Sequence, residues 1–233
     1  MWLVDVHCHS AAKSPDSSLS IARAIEDAKA ADVDALCLTE HDAFWRRDDL
    51  PSRRTSSVGF APGEAGDAGV VVVPGAEINT DAGHVLVFGL ESYEFGFHHA
   101  AKLAEAVERA GGAMVLAHPY RRVLLPEVTP NSAPYDVALR RALDNPLLRL
   151  VDAVEVANGR ALQVENLFSS DLARAAGLRG VAGSDSHEPG EAGRCVTEFD
   201  QPVRCVEDLI RALKSAAFRF RPRPHREWIE GMR

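Results

Sequence analysis

The sequence contains few cysteines, few lysines and no long apolar run, and each shortage argues against a class of protein. Its four cysteines are far apart and form no C-x-x-C pair. This argues against a disulfide framework and favours buried thiols in a reducing cytoplasm. The apolar runs are much shorter than the ~20 residues of a membrane-spanning helix, and the N-terminus shows no signal-peptide pattern. We therefore expect a cytoplasmic protein without a membrane partner.

Basic residues are also outnumbered, because 26 Lys and Arg stand against 34 Asp and Glu, for a net charge of −8. This balance argues against a protein whose main role is to coat nucleic acid. A nuclease stays open, because a site filled with metal cations is locally positive. Hydrophobic residues make up 46% and charged residues 26% of the chain, which excludes a disordered or coiled-coil protein. The length predicts a single domain over residues 1–233.

Short apolar runs alternate with helical patterns, which predicts strands joined by crossover helices in an α/β fold. The length lies slightly below the ~250 residues of an eight-stranded α/β barrel, so we expect a distorted TIM-like barrel of six to eight strands. Segments 43–69 and 119–150 show no clear pattern and are interpreted as lid-like loops, and 217–233 as a surface tail. The predicted strands are 2–6, 33–39, 70–76, 113–117, 152–157 and 180–184, with extended pieces at 84–90 and 195–199, and the predicted helices are 18–31, 98–110, 161–176 and 205–216.

Nearly every predicted strand ends in a residue that can bind a metal ion. In α/β barrels the carboxyl ends of the strands form the active face, so these side chains are expected to converge. The imidazoles of His7 and His9 share one face of an extended chain, which suits a transition metal. A lone H-x-H arises by chance, but Asp185 and His187 repeat the spacing at another strand end. The strand-end residues are His7, His9, His41 followed by Asp42, Glu77, His118, Asp185 and His187, and His84 begins the extended piece 84–90 beside Glu77.

Five motifs stand in series along residues 2 to about 200 and resemble the motif set of the PHP family, the polymerase and histidinol phosphatase domain. Each motif alone is weak, whereas five in order are highly specific. They are Asp5-Val-His7-Cys-His9-Ser10, Thr39-Glu-His41-Asp42, Pro74-Gly-Ala-Glu77-Ile, Ala117-His118-Pro119 and Gly183-Ser-Asp185-Ser-His187.

The resemblance implies a distorted (β/α)7 barrel, three divalent metal ions and metal-dependent hydrolysis of phosphoester bonds. One metal would be held by His7, His9, Glu77 and Asp185, a second by Glu77, His84 and His118, and a third by Asp16, His41 and His187. Asp16 lies farther from His9 than in the common family pattern, but no other carboxylate separates His9 from the first helix. Imidazole-rich sites with mixed nitrogen and oxygen ligands favour manganese, zinc or iron.

The resemblance also implies a mechanism, in which a hydroxide that bridges two ions attacks phosphorus. Asp185 or His187 would protonate the leaving group, and Arg194 would hold a substrate phosphate, with Arg121 and Arg122 as alternatives. Glu40 stands where aspartate is commoner in the family. Strand alternation turns it away from His41, so we expect little mechanistic consequence.

Several neighbouring residues have two interpretations. Asp5 and Asp42 either orient imidazoles or make cap and turn contacts, and Glu155 and Asn158 either face the mouth of the barrel or make structural hydrogen bonds. The remaining histidines have no strand-end position and are interpreted as surface residues. These histidines are His98, His99 and His225.

The preferred substrate is a phosphorylated small molecule or a nucleotide, and the oligomeric state stays open. The alternatives are a 5′-directed exonuclease acting on short nucleic acid, a histidinol-phosphatase-like enzyme and a non-catalytic metal-binding scaffold. An amidohydrolase barrel is disfavoured, because it typically needs a carboxylated lysine and none of the four lysines lies at a predicted strand end.

Overall fold

The computed structural model describes residues 1–46, 50, 69–125 and 128–220. Within these residues nine strands form one sheet in the order β7-β6-β5-β4-β3-β2-β1-β8-β9. The strands are β1 Trp2–Cys8, β2 Ala35–His41, β3 Val71–Thr80, β4 Gly83–Phe88, β5 Ala113–Leu116, β6 Ala153–Asn158, β7 Arg179–Gly183, β8 Thr197–Phe199 and β9 Phe218–Phe220.

Six segments of the described chain are helical. The α-helices are α1 Ile21–Ala30, α2 Ala100–Arg109, α3 Ala133–Ala142, α4 Gln163–Ala176 and α5 Val206–Lys214, and a 3-10 helix spans Pro146–Arg149.

The sheet curls until its seventh strand meets its first. The backbone amide of Asp185 donates to the carbonyl of His7 at 2.8 Å, and the amide of His9 donates to the carbonyl of Ser186 at 2.9 Å. Cys8 and Ser186 also pair as an isolated parallel bridge. The predicted α/β barrel is therefore confirmed, and β8 and β9 add an antiparallel extension beside β1.

Strand direction places the candidate site at one end of this barrel. Strands β1, β2 and β3 are parallel to one another, as are β5, β6 and β7. The extended piece 84–90 corresponds to β4, which returns antiparallel to β3 through a turn between Thr80 and Gly83. Parallel strands bring their carboxyl ends to the same edge, so the residues that follow β1, β2, β6 and β7 meet there.

Helices cover the sheet with apolar faces of ordinary helical spacing. Helix α1 begins after Ser20, whose hydroxyl accepts from the amide of Arg23 and caps the helix. Ala24 and Ala28 of α1 pack with Leu36 of β2. A larger cluster joins α2, α4, β4 and β5. These contacts bury the apolar faces that the periodicity predicted.

Two segments differ from the expected irregular structure. Part of 119–150 forms α3 and the 3-10 helix, each with a proline in its first turn, where the missing amide costs no hydrogen bond. Ser132 and Asn145 cap these helices. Part of the predicted tail forms β9, in which Phe218 pairs with Phe199 of β8.

Other predicted features lie outside the described residues. These are most of the 43–69 loop and the tail from residue 221 onward, including His225. No helix of the described chain combines the length and apolar character needed to cross a membrane.

Candidate metal centre

The predicted metal ligands meet at the carboxyl end of the barrel. Four overlapping groups of His, Asp and Glu side chains bring their ligand atoms within 4.8 Å of one another. The groups are His7, His9 and Asp185; Glu77, His84 and His118; His9, His41 and His187; and His7, His118 and Glu155.

The first group lies at the end of β1 and is buried. The Nε2 atoms of His7 and His9 are 3.0 Å apart. Glu77 Oε2 lies 3.4 and 3.2 Å from these two nitrogens, and Asp185 Oδ1 lies 3.6 and 3.4 Å from them. Two nitrogens and two carboxylate oxygens therefore surround one small space, as expected for the ligands of a single ion.

Glu77 connects this group to a second one. Its Oε1 atom lies 2.8 Å from His84 Nδ1 and 2.8 Å from His118 Nε2, while its Oε2 atom faces His7 and His9. The Oε2 atom also lies 3.0 Å from His41 Nδ1 of the third group. The carboxylate therefore presents oxygens to all three groups, and it could bridge bound ions.

The third group is the most open to solvent. Asp16 Oδ2 lies 3.3 Å from His41 Nε2 and 3.3 Å from His187 Nε2, and the Asp16 side chain is 57% exposed. The loop after β1 brings Asp16 to this position, because the amides of Ser18 and Leu19 both donate to the carbonyl of His187. This loop compensates for the unusual distance between His9 and Asp16 along the chain.

Two carboxylate oxygens test whether the site suits a metal. Glu77 Oε2 and Asp185 Oδ1 are buried, and neither accepts a hydrogen bond of normal geometry. Imidazole nitrogens lie 3.0–3.6 Å from these oxygens and offset part of the cost of burying their charge. A divalent cation between these oxygens and the neighbouring imidazoles would give both oxygens a direct partner, so the donor set fits a metal ion.

Hydrogen bonds on the outer side fix the orientation of two imidazoles. His187 Nδ1 lies 2.8 Å from the backbone carbonyl of Asp185, which only accepts, so Nδ1 carries the hydrogen. His7 Nδ1 lies 3.0 Å from Glu155 Oε1. When the ring is neutral, as it must be to bind a metal, Nε2 of each residue has its lone pair toward the ligand groups, as in other metal-binding histidines.

The buried carboxylates of the site favour positive charge beside them. Burial alone would lower the pKa of His7, but Glu155, Asp185 and Glu77 outweigh burial and raise it well above its usual range. Burial alone would raise the pKa of Glu77 and of Asp185, yet the surrounding imidazoles keep both carboxyl pKa values far below normal, with Arg121 also acting on Asp185. Both carboxylates are therefore ionised and attract cations.

The structure also resolves the neighbouring residues. Glu155 reaches His7 and also accepts from the amide of His118 at 2.8 Å. Asn158 Nδ2 donates to Glu155 Oε2 at 3.1 Å and to Asp185 Oδ2 at 3.2 Å. Asp42, which directly follows β2, accepts through Oδ1 from the amide of Asn79 in β3 at 3.1 Å, which is a contact across the sheet rather than a turn contact.

Asp5 connects the two strands that close the barrel. It accepts from the amides of Ser184 and Gly193, each at 2.8 Å, and from the amide of His7 at 3.3 Å. Burial raises its pKa to about 6. Its contacts are with backbone amides rather than with an imidazole ring, which favours the cap interpretation of this residue.

Several residues near the centre hold an unusual backbone conformation. Asp42, His118 and Asp185 have φ angles of 49°, 22° and 52°. Non-glycine residues seldom adopt positive φ, and such strain concentrates at functional sites.

The arginines differ in their distance from the ligand groups. Arg121 Nη1 lies 3.3 Å from Asp185 Oδ2, and its side chain is 15% exposed. Arg194 is more exposed, its Nε donates to the carbonyl of Gly190 at 3.0 Å, and its Nη1 lies 3.9 Å from Glu191. The phosphate-binding role of Arg194 stays a prediction. Arg122 is exposed.

Sequence reasoning missed two residues close to the centre. Arg160 Nη1 lies 3.6 Å from Glu191 Oε2, and that oxygen accepts from the amide of His187. Ser14 Oγ lies 3.2 Å from His9 Nδ1. Arg160 follows the end of β6, so its position after a predicted strand was a signal that could have identified it. No sequence signal marks Ser14.

The two described histidines outside the motifs lie on the surface, as predicted. His99 Nδ1 lies 3.0 Å from Asp81, and both side chains are more than half exposed. His98 stacks near His99 with ring centroids 4.1 Å apart.

Solved structures with similar folds include three proteins of related size or larger. PsfC from Pseudomonas syringae is 24% identical with a TM-score of 0.60, and the match covers 90% of this chain and 87% of PsfC. A two-domain protein from Bacteroides vulgatus, described as containing a predicted PHP-like metal-dependent phosphoesterase, is 20% identical with a TM-score of 0.58, covering 93% of this chain and 63% of that one. An amidohydrolase from Chromobacterium violaceum with bound sulfate is 19% identical with a TM-score of 0.53, covering 93% and 97%.

A family model adds evidence from the sequence. Residues 163–218, from α4 to the start of β9, match the model described as PHP-associated. No curated protein matches the chain. This match covers less than a quarter of the chain, and it agrees with the resemblance to the PHP family that the five motifs carry.

Proposed function

We propose that the protein is a metal-dependent phosphoesterase that acts on a phosphorylated small molecule or a nucleotide. The observation that carries the proposal is the position of Glu77, whose two oxygens face two different ligand groups while a third group lies beside them. Such an arrangement suits three divalent ions close enough to act on one phosphate. The description of the Bacteroides protein as a predicted metal-dependent phosphoesterase supports the same reaction class.

The proposed ligand sets follow the three groups. His7, His9, Glu77 and Asp185 would hold one ion, Glu77, His84 and His118 a second, and Asp16, His41 and His187 a third. Bound ions of this kind lower the pKa of a coordinated water and polarise phosphoryl oxygens. Their mixed nitrogen and oxygen ligands suit manganese, zinc or iron(II).

The chain's own residues supply the remaining roles. Arg121 is proposed to bind a non-bridging phosphate oxygen, because its guanidinium lies beside Asp185 and presents a planar set of donors. Asn158 and Arg121 keep Asp185 Oδ2 in place while Oδ1 faces the imidazoles. Of the two proton donors predicted from the sequence, Asp185 does not fit, because the imidazoles keep its carboxyl ionised, and His187 stays the candidate.

A small substrate is favoured over nucleic acid by the charge of the chain. The net charge of −8 gives little general attraction for a polyanion, so affinity would have to come from the site itself. Exonuclease activity on short nucleic acid is the second candidate, and a histidinol-phosphatase-like reaction belongs to the same class.

The test combines metal analysis with a substrate screen. The purified chain is expected to contain divalent metal and to release phosphate from members of a panel of phosphomonoesters, phosphodiesters and short oligonucleotides. The double variant His7→Ala with His9→Ala should lose both metal and turnover. The matched control is His98→Ala with His99→Ala, which removes two adjacent surface imidazoles and should retain both properties. Absence of metal together with no phosphate release under added manganese would refute the proposal.

A further inference from the structure

We propose that Glu40 is a positioning residue for the metal centre, and that it fixes the tautomer of His9 through the hydroxyl of Ser14. The inference rests on the proposed function, because it concerns how His9 is prepared to bind an ion. Glu40, Ser10 and Ser14 are all buried with no exposed surface. Strand alternation predicted that Glu40 faces away from His41. Its carboxylate is nevertheless connected to His9 through the hydroxyl of Ser14.

The carboxylate of Glu40 collects three hydrogen-bond donors. Its Oε2 atom accepts from the amide of Ser10 at 2.9 Å and from Ser14 Oγ at 2.6 Å, and its Oε1 atom accepts from Ser10 Oγ. An ionised carboxylate has no hydrogen to donate. Both serine hydroxyls must therefore point their hydrogens at Glu40.

The hydrogen bond from Ser14 Oγ to Glu40 determines the role of Ser14 Oγ in its other hydrogen bonds. Ser14 Oγ has one hydrogen, which is directed at Glu40, so toward all other neighbours the oxygen only accepts. Those neighbours are His9 Nδ1 at 3.2 Å and the amide of His41 at 3.2 Å. His9 Nδ1 must therefore carry a hydrogen, and Nε2 is left with the lone pair.

The lone pair of His9 Nε2 faces two carboxylate oxygens of the proposed metal centre. His9 Nε2 lies 3.2 Å from Glu77 Oε2 and 3.4 Å from Asp185 Oδ1, two oxygens without normal hydrogen bonds. His9 belongs to two of the ligand groups, one with His7 and one with His41. An error in its tautomer would therefore weaken two metal positions together.

Substitution of Glu40 by leucine should reverse this chain of hydrogen bonds. Leucine accepts no hydrogen bond, so Ser14 Oγ loses the acceptor of its hydrogen. The amide of His41 still donates to Ser14 Oγ, and His9 Nδ1 is then the neighbour that can accept the hydroxyl hydrogen. His9 would then carry its hydrogen on Nε2, where it blocks the metal. Loss of outer partners of metal-binding histidines typically costs 10–100-fold in metal affinity, and we expect a loss of about this size for Glu40→Leu.

The first arm of the experiment measures metal binding to the full chain, with Mn²⁺ and Zn²⁺ as probes, by calorimetry and by metal content after dialysis. Glu40→Leu and Ser14→Ala should both bind more weakly than wild type. The matched control is Glu165→Leu, because Glu165 is also buried and accepts from the amides of Arg122 and Leu162, but touches no ligand. It should bind metal like wild type, even if its stability falls.

The second arm reads the tautomer directly in the metal-free protein. Histidine ¹⁵N NMR, with the His9 signals assigned from a His9→Asn variant, should show hydrogen on Nδ1 in wild type and on Nε2 in Glu40→Leu. Ser14→Ala keeps the test decisive should Glu40→Leu fail to fold. Wild-type metal affinity in both Glu40→Leu and Ser14→Ala, or an unchanged His9 tautomer in Glu40→Leu, would overturn the inference. If wild type binds no metal, the proposed function fails, and the NMR arm still decides the hydrogen-bond relay.

Discussion

His7 shows at the scale of one residue why this site calls for a cation. Its Nε2 lies 3.0 Å from the Nε2 of His9, and two lone pairs at that distance repel each other unless a positive centre lies between them. Burial lowers the pKa of His7, but Glu155, Asp185 and Glu77 outweigh burial and raise it well above its usual range, which favours a proton at this position in the metal-free protein. Metal binding would replace this proton, so metal affinity should rise as the pH increases.

Substitution of Arg121 and substitution of Arg194 are expected to have different effects on kcat/KM. Removal of a charged hydrogen-bond donor that contacts phosphate costs about 1.5–3 kcal/mol, or roughly 10–150-fold in kcat/KM. We expect this loss for Arg121→Ala, with part of it restored in Arg121→Lys. Steady-state kinetics on a phosphate ester that wild type hydrolyses provide the measurement.

Arg194→Ala is the matched comparison for that experiment. Its guanidinium is held by Gly190 and Glu191, so its removal should change kcat/KM much less than the removal of Arg121 does. The reverse order would restore Arg194 as the phosphate-binding arginine and would place Arg121 in a purely structural role beside Asp185.

At the scale of elements, the pattern of apolar runs predicted the barrel strands because buried parallel strands are continuous in Val, Leu and Ala. The predicted strand 33–39 corresponds to β2 at Ala35–His41, and 70–76 corresponds to the first part of β3. Helix α3 was missed because prolines interrupt its surroundings. Pro134 in its first turn is compatible with a helix start, and the local sequence contains too few apolar positions to overrule the proline signal.

Most of the proposed ligands were predictable for the same reason, since His7, His9, His41, His118, Asp185 and His187 lie at or just after the end of a strand whose position the sequence reveals. Ser14 was not predictable in this way. It lies in an irregular loop, and its partner Glu40 is 26 residues away in the chain, so only the folded structure joins them. Hydrogen bonds to the ring nitrogen that faces away from the metal centre depend on three-dimensional packing, which the pattern of residues along the chain does not reveal.

Strand β7 approaches β1 and β6 so closely that Gly183 cannot carry a side chain. A Cβ atom there would lie 2.4 Å from His7 Cβ and 2.6 Å from Glu155 Oε1. We expect Gly183→Ala to lower the free energy of unfolding by about 1–3 kcal/mol, the usual cost of overpacking. Because the clash displaces His7 and Glu155 together, metal affinity should also fall. Urea unfolding and metal titration measure the two effects separately.

Gly180→Ala is the control for this prediction within the same strand. A Cβ at Gly180 would lie 2.5 Å from Val156 Cγ2, so it also overpacks, but it meets an aliphatic side chain rather than a ligand. It should destabilise the fold while metal affinity stays near the wild-type value. Equal losses of metal affinity in both variants would show that general loosening of β7, rather than displacement of His7, weakens the site.

On the scale of the whole molecule, the ligand groups contain residues from both strands of the barrel seam, the place where β7 meets β1. His7 and His9 come from β1, Asp185 and His187 follow β7, and Glu77 comes from β3 on the other side of β2. Asp5 joins the same two seam strands through backbone amides. An ion bound among these side chains would therefore crosslink strands that are far apart in sequence, and the cost of opening the barrel would include the loss of the ion.

Metal binding should for this reason stabilise the whole fold. A ligand present at 100 times its dissociation constant adds about 2.7 kcal/mol to the free energy of unfolding, which for a chain of this size raises Tm by about 5–10 °C. Thermal unfolding of the chelator-treated protein should therefore shift upward on addition of Mn²⁺ or Zn²⁺.

The double variant His7→Ala with His9→Ala decides whether that shift comes from the barrel mouth. It removes two nitrogens from the ligand groups at the seam, so its Tm should respond much less to metal. It should nevertheless remain folded, because the apolar clusters against α1, α2 and α4 do not include these imidazoles. The control His98→Ala with His99→Ala should keep the full shift. If metal raised the Tm of the His7/His9 variant as much as that of wild type, the stabilising ion would have to bind elsewhere, and the crosslink across the seam would be wrong.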